Sequence, residues 1–145
     1  MNTKANKLEY KQIKIGDSFS FEQIIDKVTV GKFAELTGDF NPLHCDEPYA
    51  QATPWGGRVA HGMLLASFFS KLVGMICPGE RALYLSQYLN FKNPLGLGSK
   101  RINKIIVTGK VVNKFDAVKI IEMKTRIVTK AGQIVIDGMA RVKVR

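Results

Sequence analysis

Residues 62–76 read Gly-Met-Leu-Leu-Ala-Ser-Phe-Phe-Ser-Lys-Leu-Val-Gly-Met-Ile, apolar almost all the way round at helical spacing. A helix of that kind has no face to offer water, so it must be enclosed by the rest of the chain. Lys71 interrupts it, and it falls short of the roughly 20 residues needed to cross a bilayer. Pro78-Gly79 stops it, and the pattern then changes to strands at 83–91, 104–112, 118–128 and 134–144. Residues 113–116 and 130–133 carry the turn chemistry of hairpins between them. The last run alternates, with Ile134, Ile136 and Gly138 on one side and Val135, Asp137 and Met139 on the other. Together these features predict an α+β domain in which an antiparallel β-sheet wraps around a long central α-helix. At 145 residues the chain (1–145) fits one such domain.

The first half is more irregular. Residues 1–12 are polar and expected to be loosely held. A short strand is expected at 13–17, ending in a turn, with Ser18-Phe19-Ser20-Phe21 alternating after it. Thr29 is a plausible N-cap for a helix carrying Val30, Phe33, Ala34 and Leu36 on one stripe, and Gly38 suits its C-terminal stop. Residues 38–62 contain Asn41-Pro42, Glu47-Pro48, Pro54 and Gly56-Gly57, with room for a short helical turn at 49–52. A connection this long inside a compact domain reads as a functional loop.

Lysine and arginine exceed acidic residues by 22 to 12, a formal charge of +10. Such a surface attracts anions: nucleic acid, membrane or a phosphorylated cofactor. The cations are spread out, without a block of five or aromatic residues interleaved among them, so neither nucleic acid nor membrane is an expected partner. The two cysteines, Cys45 and Cys77, match no metal spacing and are read as free thiols. The first twenty residues carry too many charges for a signal peptide, and the expected location is cytoplasmic.

The chemistry is concentrated in Gly38-Asp39-Phe40-Asn41-Pro42-Leu43-His44 and Arg58-Val59-Ala60-His61-Gly62-Met63. An acid and a histidine five residues apart, around a proline turn, are able to point at a common spot. Near neutrality such a pair polarises water and carries a proton. The same residues also have purely structural readings, Asp39 as a cap and His44 as a packed histidine. His61 is read as structural. Ser67 and Ser70 are read as bonding their own helix, and Trp55 and Phe68 as core.

Taken together, the two segments resemble the signature of MaoC-like dehydratases, in particular the (R)-specific enoyl-CoA hydratases. Asp46, Ala50, Gly57-Arg58, Tyr84-Leu-Ser-Gln87 and Phe91-Lys-Asn-Pro94 extend the likeness over residues 10–145. The resemblance implies a hotdog fold, a homodimer, and reversible addition of water to a 2-enoyl thioester of CoA or of acyl carrier protein. It implies Asp39 and His44 as the water-activating pair, Asn41 as an orienting residue, and Gly62 as the backbone donor to the thioester carbonyl. Neither a metal nor another cofactor is implied. Gly98-Ser99 departs from the Gly-Asp pair frequent in the family at that point. A thioesterase of the same fold and a non-catalytic acyl-CoA-binding module are the alternatives.

Overall fold

The computed structural model describes residues 4–98 and 103–145. Its backbone is an antiparallel five-stranded sheet, β1 (Ser18–Ile25), β2 (Ala82–Phe91), β3 (Asn103–Phe115), β4 (Ile120–Thr129) and β5 (Ile134–Val144), in the order β1-β3-β4-β5-β2. Four α-helices precede β2: α1 (Lys27–Thr37), α2 (Pro42–Cys45), α3 (Glu47–Gln51) and α4 (Gly62–Lys71). Residues Leu72–Ile76 continue α4 as a π-helical turn.

The strands alternate because one sheet face meets the helix and the other meets water. Ile105, Val107 and Val111 on β3, Ile121, Met123 and Ile127 on β4, and Ile136, Ala140 and Val142 on β5 are buried. Leu64, Leu65, Phe69 and Leu72 from α4 and its extension pack with Ile105, Val107, Ile127 and Ile136, while Val111, Ile121, Met123, Ala140 and Val142 form a second core cluster with Ile13, Val73 and Cys77. Side chains of this size stabilise the fold by about 1.5–3 kcal/mol each when fully buried. Gly109 lets the helix come close, since a Cβ there would lie 2.7 Å from the Leu72 Cδ2.

The architecture is the α+β hotdog arrangement, and several local expectations need correction. Residues 13–17 form no strand. Ile13 is buried, residues 14–17 make a turn with Gly16 at φ 97°, and the strand begins at Ser18. The N-cap of α1 is Asp26, whose carboxylate accepts from the Thr29 N–H at 2.7 Å, while the Thr29 hydroxyl donates to the same oxygen. Gly38 does end that helix, in the left-handed conformation at φ 79°. The β3–β4 turn lies at 116–119, three residues later than expected, because β3 runs on to Phe115.

The N-terminal stretch is tied down from Asn6 rather than loose. The Asn6 N–H donates to the Met75 carbonyl, Lys7 bridges Gly79, and Leu8 and Tyr10 pack against the second core cluster. Residues 1–3 and Ser99 lie outside the described residues. Nor is α4 enclosed on every side: Met63, Ser67, Ser70 and Lys71 form an exposed stripe. Among the described residues, no helix is long and apolar enough to cross a membrane.

Candidate active site

The connection from α1 to α4 folds into two short proline-started helices, each set by a side-chain cap. Asn41 caps α2, its Oδ1 accepting from the Leu43 N–H at 3.0 Å with Pro42 in the first turn. Asp46 caps α3 by accepting from the Tyr49 N–H at 3.0 Å, with Pro48 in the first turn. The Asn41 N–H in turn donates to the Asp39 carboxylate at 3.2 Å. Asn41 thus builds the turn that joins Asp39 to His44, and its own carbonyl accepts from the His44 N–H at 2.9 Å.

His44 sits on α2, partly buried, with Nδ1 2.8 Å from the Val59 carbonyl. A carbonyl oxygen only accepts, so Nδ1 carries the proton and the neutral ring keeps its lone pair on Nε2. The Arg58 Nε–H donates to the His44 carbonyl, which ties the end of α2 to the strand-like segment leading into α4. That segment is itself held to the chain after β2. The Ala60 N–H donates to Leu95 O at 2.9 Å, and the Leu97 N–H to Arg58 O at 2.7 Å.

His61 is more involved than its role as helix entry suggests. It is 2% exposed, and its Nε2 donates to the backbone carbonyl of Asp39 at 3.0 Å. The same Nε2 is 3.8 Å from the Asp39 carboxylate. Its ring lies 3.9 Å from that of His44 and 5.0 Å from that of Phe33. Nδ1 is buried without a hydrogen-bond partner among the described residues. The Ala-His-Gly sequence held the signal for this residue, since a histidine at a buried helix entry needs a polar partner.

Asp39, by contrast, is half exposed at 51%. One ligand atom each from Asp39, His44 and His61 lies within 4.8 Å of the others. His44 Nδ1 and His61 Nε2 are already committed to backbone carbonyls, which takes one nitrogen of each ring out of any donor set.

Gly62 opens α4, where the first N–H groups of a helix lack intrahelical partners and favour negative charge. It lines a cleft of about 570 Å³ with Trp55, Ala60, Met63, Leu65, Phe91 and residues from the starts of the β2 exit and β5. A Cβ on residue 62 would lie 2.7 Å from the Phe91 ring, so glycine is what allows that ring to close over the helix start. Asp39 and His44 are not in the cleft wall; Ala60 and Gly62, on either side of His61, connect the two regions.

Other residues fall as follows. Ser67 bonds its own helix, its hydroxyl donating to Leu64 O at 2.6 Å, and Phe68 packs on the core. Trp55 is not a core residue: it is 55% exposed and lines the cleft. Cys45 and Cys77 are both free, Cys77 fully buried.

A sheet wrapped on a central helix, with an acid–histidine turn beside that helix's N-terminus, defines a protein of the hotdog fold. The chain belongs to the MaoC like domain family, whose model matches residues 10–133. It is 40% identical over 135 residues to an (R)-specific enoyl-CoA hydratase of Rhodospirillum rubrum, covering 93% of this chain and 90% of that one. It is 36% identical over 133 residues to an (R)-specific enoyl-CoA hydratase of Aeromonas caviae, covering 92% and 96%. Among solved structures it superposes on the R-hydratase PhaJ1 of Pseudomonas aeruginosa in the unliganded form, with TM-score 0.89 and 31% identity. That match covers 97% of this chain and 87% of the other.

Proposed function

We propose that this protein is an (R)-specific 2-enoyl-CoA hydratase, a hydro-lyase that adds water reversibly to trans-2-enoyl thioesters. The observation that carries the reading is the 2.8 Å approach of His44 Nδ1 to the Val59 carbonyl: a proton on Nδ1 leaves Nε2 as the base of a turn shared with the Asp39 carboxylate. A water held between Nε2 and that carboxylate loses a proton to the pair as its oxygen bonds to C3 of the enoyl group. The proton is returned to C2, so the elements of one water are added and nothing else is consumed. As C3 is attacked, charge moves onto the thioester oxygen, where the Gly62 N–H at the helix start offsets it. Asn41 acts by holding the Asp39–His44 turn. The reading uses no metal and no other cofactor.

The protein works as a homodimer in this reading. Support comes from β2, an unpaired edge strand ten residues long with Leu83, Leu85, Tyr88 and Phe91 exposed. Edges of that length and apolarity invite pairing. Two free thiols fit a reducing, cytoplasmic location.

The test follows crotonyl-CoA absorbance with the wild-type protein, Asp39→Asn and His44→Ala, and identifies the product's configuration. Wild type should form (R)-3-hydroxybutyryl-CoA, and each variant should lose about 10²–10⁴-fold in rate. Release of free CoA thiol from saturated acyl-CoA, with no hydration, would replace the reading by a thioesterase.

A further inference from the structure

The cleft beside Gly62 is apolar on almost every side, and among the described residues Lys92 is the one charged residue in its wall. The Lys92 ammonium makes no hydrogen bond or ion pair with any described residue, unlike Lys7, Lys27 and Lys104, which meet Glu80, Glu47 and Glu22. Its backbone is nonetheless fixed. The N–H groups of Lys92 and Asn93 both donate to the Val135 carbonyl, at 2.8 and 3.3 Å, and the Asn93 side chain donates to Ile134 O at 2.7 Å. Leu95 and Leu97 then lace the following residues to the segment that carries His61. Lys92 also directly follows Phe91, whose ring lies over Gly62. A free cation therefore stands on pinned backbone, one residue from the ring that covers the helix start.

We infer that Lys92 binds the phosphate of the substrate's phosphopantetheine arm. The inference rests on the hydratase reading, because a thioester carbonyl placed at Gly62 must send its carrier arm out of this cleft. The cleft gives the pantetheine chain a path away from Gly62, and the charge in its wall among the described residues is Lys92. An ammonium attracts a phosphate as a point charge, without demanding bidentate geometry. The same phosphate occurs in CoA and on acyl carrier protein, so the residue reads the arm rather than the carrier.

The experiment compares crotonyl-CoA, crotonyl-4′-phosphopantetheine, crotonyl-pantetheine and crotonyl-acyl carrier protein on wild type, Lys92→Ala, Lys92→Arg and the control Lys130→Ala. Lys130 is an exposed cation in the β4–β5 turn, away from the cleft wall. Lys92→Ala should raise KM about fivefold for the phosphate-bearing thioesters and leave kcat in place, with Lys92→Arg restoring most of the loss. A loss on CoA alone would assign Lys92 to the nucleotide end and overturn the inference. So would an equal effect on crotonyl-pantetheine, or an effect shared by Lys130→Ala. Titration of CoA into each protein separates this inference from the hydratase reading. If wild type hydrates nothing but binds CoA more tightly than Lys92→Ala does, only the hydratase reading falls. If wild type does not bind CoA, the inference falls too.

Discussion

The rings of His44 and His61 lie against each other, centroids 3.9 Å apart and planes inclined by 32°. His61 also donates to the Asp39 carbonyl, so one buried side chain touches both members of the proposed water-activating pair. Removing its donor while keeping its bulk, as in His61→Phe, should leave the fold intact and loosen the Asp39 turn. The expected loss in kcat is about tenfold to a hundredfold, the scale of a misplacement near 1 Å. His61→Gln, which keeps an N–H donor, should recover part of it. Equal loss in both variants at unchanged melting temperature would remove this positioning role.

The two thiols should behave differently. Burial, with a smaller contribution from the Asp17 charge, pushes the Cys77 thiol up to about 12. Cys45 is only partly buried. A disulfide reagent at pH 8 should label Cys45 in the native protein and Cys77 only after unfolding. Peptide mapping of the labelled protein checks this, and labelling of native Cys77 would contradict it.

Gly138 and Gly74 make a matched pair. A Cβ on Gly138 would lie 1.9 Å from the Tyr88 carbonyl oxygen across the β2–β5 ladder, whereas a Cβ on Gly74 meets nothing within 4 Å. Gly138→Ala should destabilise the fold by about 3 kcal/mol, the upper part of the range for overpacking. Gly74→Ala should be neutral or slightly stabilising, since alanine restricts the unfolded chain. Urea titrations of both variants test the contrast.

Acid sensitivity should involve the start of α1. The Thr29 N–H, then the Thr29 hydroxyl, hold the Asp26 carboxyl below its ordinary value. A depressed carboxylate contributes stability that is fully present above its unfolded pKa, about 3.9. That contribution is lost as pH falls through the folded value. Asp26→Ala should therefore unfold more easily than wild type at pH 6, and the two should converge as pH falls below the ordinary carboxylate value. Parallel curves over that whole range would rule out the linkage.

The sheet and central helix were legible because hydrophobic periodicity reports burial directly: 134–144 alternates and 62–71 does not. The Asp39–His44 turn was legible because its proline and asparagine carry local turn chemistry. Three features were not. The cap of α1 moved from Thr29 to Asp26 because both residues share one hydrogen-bonding cluster, and the sequence alone cannot rank them. Trp55 read as core because its bulk is apolar, but the cleft it lines is completed by Phe91 and Val135, which are distant in sequence. His61 was underrated because its partners, Asp39 and His44, come close only after the loop has folded.

Every side chain proposed to activate water, together with its buried support, comes from residues 39–61, and in residues 38–58 only Ala50 is a buried hydrophobic residue. The two core clusters draw on the sheet, on α4 and its extension, and on Ile13, Val30, Ala60, Cys77, Leu95 and Leu97, with no member from residues 38–58. Chemistry and foldability are thus written in different parts of the chain. Substitutions in the loop are free to silence the enzyme while leaving a stable shell, and a descendant that keeps the shell is free to acquire another reaction by rewriting one short passage.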